Sequence, residues 1–590
     1  MNEIEPVVIK ALLMQLATNF IRTHTGRGFM KRFVITFVLV GALVSPFQGV
    51  YSQRRSSDAA ASAAAASVSR KVADGITAAQ LRDYLYFIAS DEMEGRDTPS
   101  RGLDTTAKFL AMSLSRWGLK PAGDNGTYLQ RIALGRYKID PEKTRAEIDG
   151  QTFSFGDDFL ASQVPPGGAR LPLNASGQLV YVGSGWMIKS KNMDAYRGVD
   201  VKDKIMVVAG GGLPKGVTHS ELRGTRGVDW ADPQTYAQAH GARGIIIIPG
   251  FQNLAFWDRI RRNAVARGQI EVEKFQAEPD ETPPRVPTII ASPGMLNALF
   301  RAESQSAAGL FNLSVAGDPA QAFALTANKK ASFTISGASE TVSTQNVVAV
   351  LEGSDPVLKN EYVALGAHYD HVGIGARVDG DAIYNGADDD GSGTTALLAM
   401  AEALAHSQAR PKRSVLFVWH CGEEKGLWGS RYFTEYPTVA LDRIVAQLNI
   451  DMIGRSRKAS DTTPANASLT GPNEIYVIGS KMMSTELGEL SERVNRSYLN
   501  LEFNYRYDDP TDPNRFFFRS DHFNYARKGI PIIFYFDGEH EDYHRPTDSP
   551  DKIDYQKMER VARTIFMTMW ELANAPNRPR VDKQLPPELK

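Results

Sequence analysis

Thiols are almost missing from this chain: its 590 residues include one cysteine, Cys421. That excludes an intramolecular disulfide framework and any structural zinc site built from several cysteines. Charge excess is missing too. Lys and Arg number 67 against 68 Asp and Glu, a formal net charge of −1, so no basic face for nucleic acid is implied. Long apolar runs are also scarce. The segment "MKRFVITFVLVGALVSPFQGVYSQ", from Met30, carries an apolar stretch from Phe33 to Val44. It is shorter than the roughly 20 residues that span a bilayer. Lys31 and Arg32 precede it and Val50 and Ser52 follow, which is the grammar of a signal peptide over 30–52, cleaved after Ser52. The expectation is a secreted or periplasmic protein with no stable membrane insertion after cleavage; an uncleaved anchor is the alternative. No cysteine lies just beyond the run, so a lipoprotein anchor is not expected. Residues 1–29 do not fit this grammar, and Met30 is the expected start.

What is present is a globular composition, 42% hydrophobic and 23% charged. The length predicts two or more domains. After the targeting region, 1–52, residues 53–75 read as a linker, because "RRSSDAAASAAAASVSR" offers nothing large to bury. Helical apolar spacing begins at Leu81, Leu85 and Ile88. Near residue 150 Gly and Pro rise, and short β-like runs appear, among them "GQLVYVGSG", "DKIMVVAGGG", "GARGIIIIPG" and "RVPTIIAS". This stretch, 155–330, reads as a β-rich α/β module inserted between 76–150 and 332–575, which together form a discontinuous second domain; 576–590 is a tail. From Thr344 onward the apolar runs are near-continuous: "YVALGA", "SVLFVWH", "IVAQLNI" and "IPIIFYF". Strands buried on both faces look like this, so the fold class is α/β, a mixed, largely parallel sheet sandwiched by helices.

The residues just past these runs carry the chemistry. "YVALGA" leads to His368, "SVLFVWH" to Glu423 and Glu424, "IVAQLNI" to Asp451, and "IPIIFYF" to a loop with His540 and His544. In open α/β sheets ligands bind beyond the carboxyl ends of the strands. Imidazoles and carboxylates without thiols suit zinc, and manganese or cobalt as well. "YNGADDDGSG" adds three adjacent aspartates, Asp388 to Asp390, whose mutual repulsion a cation relieves. One of them can bridge two cations; the others can orient ligands or cap the helix that follows Gly393. Taken singly, each of these residues has a plain structural explanation, and for His371, His420, His522 and His540 that explanation is preferred.

At these residues the sequence resembles metallopeptidase family 28, the co-catalytic di-zinc aminopeptidases. The matching motifs are "GAHYDH", "NGADDDGSG", "GEEKGLWGS", "NIDMIG" and "DYHRPTDSPDKID". The middle segment resembles a protease-associated domain through "VYVGSG", "VDVKDKIMVV" and "AQAHGARGIIII". The resemblance implies the zinc aminopeptidase fold and two Zn2+ per chain. His368 and Asp451 would hold one ion, Glu424 and His544 the other, and Asp389 would bridge them. Asp370 would orient His368, Glu423 would be the general base acting on a water between the ions, and Tyr543 would stabilise the oxyanion. The implied activity is removal of N-terminal residues from peptides. A carboxypeptidase or dipeptidase is the alternative, with Arg515, Arg519 and Arg545 as candidates for a substrate carboxylate. A receptor-like binding protein is a further one, against which the full ligand set argues.

Overall fold

The computed structural model describes residues 67–583 apart from 162–170, 211, 219–220, 267 and 276–285. The expected targeting region lies outside the described residues, as do most of the linker and the last seven residues of the tail. Among the described residues no helix is long and apolar enough to cross a membrane. The chain divides at Gly75 into two units, and the larger, from Ile76, carries everything below.

The strands that matter for the site are β1 (Leu129–Ile139), β2 (Gly337–Leu351), β3 (Tyr362–His368), β4 (Ser414–His420), β5 (Ile444–Ile450), β6 (Glu474–Ile478), β7 (Glu502–Asn504) and β8 (Ile532–Phe536). They form one sheet in the order β1-β2-β4-β3-β5-β8-β6-β7. The sheet is mixed. Its centre, β4-β3-β5-β8, is parallel, whereas β1, β2 and β4 pair antiparallel in succession, as do β8 and β6. The near-continuous apolar runs are these central strands. Every residue of β4 and of β5 is buried, which both faces of the sheet must share.

The alternation along a strand assigns the two faces. Ala364, Leu416, Val418, Ile532 and Phe534 share a core with Phe433 and Tyr525, from helices α4 (Trp428–Glu435) and α6 (His522–Arg527). The residues between them face the other way. Trp419 donates its indole N–H to the Thr394 carbonyl of α3 (Gly393–His406), 3.1 Å away, and the Tyr535 hydroxyl lies 3.3 Å from Ser491 of α5 (Thr485–Ser497). The long α7 (Tyr555–Asn574) packs beside α3 and α5 on this second face, and α1 (Ala78–Ile88) and α2 (Arg101–Arg116) also touch α3. Its start is fixed by Asp554, whose carboxylate accepts from the Lys557 N–H at 3.0 Å.

A second sheet takes strands from Arg145 to Ile335. Its inner strands, 173–181, 205–209, 244–248 and 288–291, are parallel and correspond to the four β-like runs of the middle segment. The chain enters this sheet with 145–148 and 151–154 and returns through 330–335, so sheet membership changes at 145 and 335 rather than at 155 and 330. One strand from within this excursion, Gln269–Val272, pairs with β1 and so extends the first sheet.

Candidate metal centre

The carboxyl ends of the parallel strands lie side by side: His368 is in register with His420, and Asn449 pairs with both Gly366 and Phe534. The loops that leave these ends therefore converge. Two clusters of donor atoms result. His368, Asp389 and Asp451 make one; His371, Asp389, Glu424 and His544 make the other. Asp389 belongs to both. His368 Nε2 lies 3.2 Å from Asp389 Oδ1 and 3.6 Å from Asp451 Oδ1. His544 Nε2 lies 3.1 Å from both Asp389 Oδ2 and Glu424 Oε2, and His371 Nδ1 lies 2.9 Å from Glu424 Oε1 and 3.6 Å from Asp389 Oδ2.

These donors fit a metal. Asp389 Oδ2, Glu424 Oε1, His544 Nε2 and both nitrogens of His371 are buried atoms without a hydrogen-bond partner among the described residues. Native proteins rarely leave such groups unpaired unless an ion or water completes them. The separations also bracket the roughly 3.3 Å edge of a tetrahedron whose bonds are about 2.0 Å long, the length of zinc–nitrogen and zinc–oxygen bonds. Imidazole and carboxylate without thiolate is a donor set that zinc accepts.

The three aspartates divide the work. Asp388 Oδ1 accepts from the Gly454 N–H at 2.7 Å, and its other oxygen lies 3.3 Å from His540 Nε2. Asp390 Oδ1 accepts from the N–H groups of Gly393 and Met452 at 2.8 and 3.2 Å, and Oδ2 from the His368 N–H at 3.1 Å. It thus ties the start of α3 to the ends of β3 and β5. Asp389 alone turns to the two clusters, and its backbone N–H donates to Asp548 at 3.2 Å. The Asp389–Asp390 peptide is cis. Gly386 holds φ at +57°, and a Cβ there would stand 2.3 Å from the Asp389 carbonyl oxygen and 2.5 Å from the His371 ring, so only glycine fits. His544 and Met452 adopt φ of 54° and 59°, left-handed backbone that costs a non-glycine residue about 1–2 kcal/mol.

Charge sets the protonation of the metal-free centre. Burial raises the Asp389 carboxyl, but His371, His368 and His544 outweigh it and hold it well below the usual range. Burial also opposes ionisation of Glu424, as does Asp389, yet the close approach of His371 and His544 brings it down to about 2. Glu423 behaves oppositely. Burial, then Glu424 and Asp451, hold its carboxyl well above the ordinary range against the pull of His368. Two adjacent glutamates with the same chemistry are driven apart, which is how acid–base and ligand roles separate. His544 is raised to about 10: burial opposes this, and the adjacent carboxylates of Asp389 and Glu424 prevail.

The remaining residues named from sequence lie close by. Asp370 faces His368 Nδ1 with its carbonyl oxygen at 3.2 Å and its carboxylate Oδ1 at 3.6 Å. The carbonyl is the nearer acceptor, and Oδ1 accepts instead from the Glu423 N–H at 3.2 Å. Asp370 therefore links His368 to Glu423. Tyr543 stacks on His544, ring centroids 3.9 Å apart, and its hydroxyl lies 3.4 Å from an Arg519 nitrogen. It lines a pocket with His368, Asp389, Glu423 and Asp451, whose apolar wall is Met452, Phe516, Phe534 and Phe536. His420 sits against the Tyr525 hydroxyl and Asp521, and His522 against the Phe517 carbonyl. His540 lies between Asp388 and Arg455. Arg515 stacks on Phe518, and neither it nor Arg545 lines the pocket.

His371 is the donor that sequence reasoning passes over as an ordinary loop histidine. The one available signal was its place in "HYDH", three residues after His368. Arg96 is a second omission. Its fully buried guanidinium donates to the carbonyls of Tyr369, Ile88, Asn385 and Gly386 at 2.7 to 2.9 Å. It thereby braces the His368 and Asp389 loops against each other.

Residues 346–569 match the model of peptidase family M28. A "Probable zinc metalloprotease" of Pyrenophora teres f. teres is 30% identical over 271 residues, 40% of this chain and 53% of the relative. A "Probable leucine aminopeptidase" of Trichophyton verrucosum is 27% identical over 228 residues, 37% of this chain and 56% of the relative. The chain thus spans about half the length of the curated relatives it matches. A solved aminopeptidase from Aneurinibacillus sp. strain AM-1 superposes with a TM-score of 0.49 at 16% identity, covering 88% of this chain and 98% of that one.

Proposed function

We propose that this chain, whose residues 346–569 match peptidase family M28, is an exported aminopeptidase that holds two zinc ions. The observation that carries the reading is the shared carboxylate: Asp389 offers one oxygen to each donor cluster, and Glu423 lines the pocket beside them. His368 and Asp451 would hold one ion and Glu424 and His544 the other, with Asp389 shared between them. Zinc bound there supplies Lewis-acid chemistry, polarising a peptide carbonyl and making water more acidic. Glu423, at the pocket wall beside the two clusters, takes the proton of the attacking water and returns it to the leaving amine. The Tyr543 hydroxyl donates to the carbonyl oxygen as negative charge develops on it. Asp370 keeps the His368 ring and the Glu423 backbone in register.

An aminopeptidase is favoured over a carboxypeptidase by the charges at the pocket. Among the described residues that line it, Arg519 is the sole cation, and Glu539 already pairs with it at 2.7 Å. That leaves, among the described residues, no unpaired Arg or Lys at the pocket for a substrate carboxylate to meet. The zinc-loaded protein should release the first residue of a free peptide and leave its N-acetylated form intact. Cleavage of the blocked peptide from its carboxyl end overturns the reading.

Export rests on segment 30–52 alone; an exported product that begins near Gln53 supports it, and full-length protein recovered from the cytosol contradicts it. The stretch between 145 and 335 is proposed as the protease-associated module, its edges set where the strands change sheet. Residues 76–150 and 332–575, with that adjustment, make the peptidase domain.

A further inference from the structure

His371 has no part in the mechanism above, yet its surroundings are those of a ligand. The side chain is completely buried, and neither ring nitrogen has a hydrogen-bond partner among the described residues. Nδ1 stands 2.9 Å from Glu424 Oε1 without forming a hydrogen bond, so the oxygen lies off the axis along which the ring nitrogen donates or accepts. His544 Nε2 shows the same pattern, 3.1 Å from two carboxylate oxygens and unpartnered. Two imidazoles and two carboxylates that approach each other closely, and miss each other's hydrogen-bond axes, aim at a common point between them. The ring is also held in place. The His371 N–H donates to the Arg96 carbonyl at 3.2 Å, and Gly386 packs so near that a Cβ would meet the ring.

We propose that His371 is a fourth protein donor at the second cation position, through Nδ1, with Asp389, Glu424 and His544. This rests on the reading of the centre as a zinc site. The two positions then differ in kind. The second has four protein donors, the full complement of a closed zinc site, while the first has three, Asp389 included, and keeps a place open beside Glu423. The four-donor position fills first and releases its ion last.

X-ray absorption at the zinc edge of the two-zinc protein counts the imidazoles directly. The expected result is three imidazoles shared by two ions, and two imidazoles overturns the proposal, leaving His371 as a hydrogen-bond donor to Glu424. Competition with a chelator gives a second readout. Wild-type protein should hold one ion tightly and one less so, and His371→Ala should loosen the tight ion by about 100-fold or more while leaving the other unchanged. A variant that keeps both affinities also overturns the proposal. Should the chain take up no zinc at all, the proposed function falls with it, whereas two ions with two imidazoles remove only this inference.

Discussion

His368 and His544 reach opposite oxygens of one carboxylate: Nε2 of the first is 3.2 Å from Asp389 Oδ1, and Nε2 of the second is 3.1 Å from Oδ2. A residue so placed serves both clusters. Asp389→Asn should therefore lower the occupancy of both ions, because an amide offers one carbonyl oxygen where the carboxylate offers two. Metal analysis per chain is the check. A variant that keeps two ions would show that Asp389 is not the bridge.

Glu423 and Glu424 are neighbours in sequence with opposite assignments. Glu423→Gln should retain both ions and lose turnover by about 10² to 10⁴, the usual range for removing a general acid–base group. Glu424→Gln should loosen one ion, since an amide oxygen is a poorer ligand than a carboxylate. Metal content and turnover measured together decide the matter. The reverse pattern exchanges base and ligand.

Arg96→Met should destabilise the fold by on the order of 3 kcal/mol or more, because it leaves buried carbonyl oxygens of Tyr369, Ile88, Asn385 and Gly386 without their donor. The denaturant midpoint of the metal-free protein should fall accordingly. An unchanged midpoint would mean that the bracing of the two ligand loops lies elsewhere.

Zinc uptake should release protons. In the metal-free centre the His544 imidazole is raised to about 10, so it carries a proton at neutral pH that a ligand nitrogen must lose. Glu424, lowered to about 2, is already ionised and releases none. Affinity should accordingly rise with pH through the neutral range and level off above pH 10. Calorimetry in buffers of different ionisation enthalpy measures the protons; heats independent of buffer would contradict the assignment.

Much of the centre was legible because its residues follow strands that advertise themselves. The runs ending at His368, His420, Ile450 and Phe536 are apolar along their length, and the topology carries their ends to one edge. His371 was not legible, since nothing in a loop's composition says which way a ring points, and here the backbone of Arg96 and the bare Cα of Gly386 decide it. Arg96 was hidden for a related reason: three of its four acceptors lie 273 to 290 residues away in sequence. The edges of the second sheet were misplaced by up to ten residues because 145–148 and 151–154 form a short hairpin in the same alternating texture as β1. Only the partner strand, 330–335, reveals to which sheet they belong.

The central claim is a two-ion peptidase centre built around Asp389, and one titration tests it most directly. Zinc is added in steps to the metal-free protein while release of the first residue from a free peptide is followed. The account predicts no release without zinc and a rate that stops rising at two ions per chain. Release that is complete without zinc, or none at full loading, would contradict it.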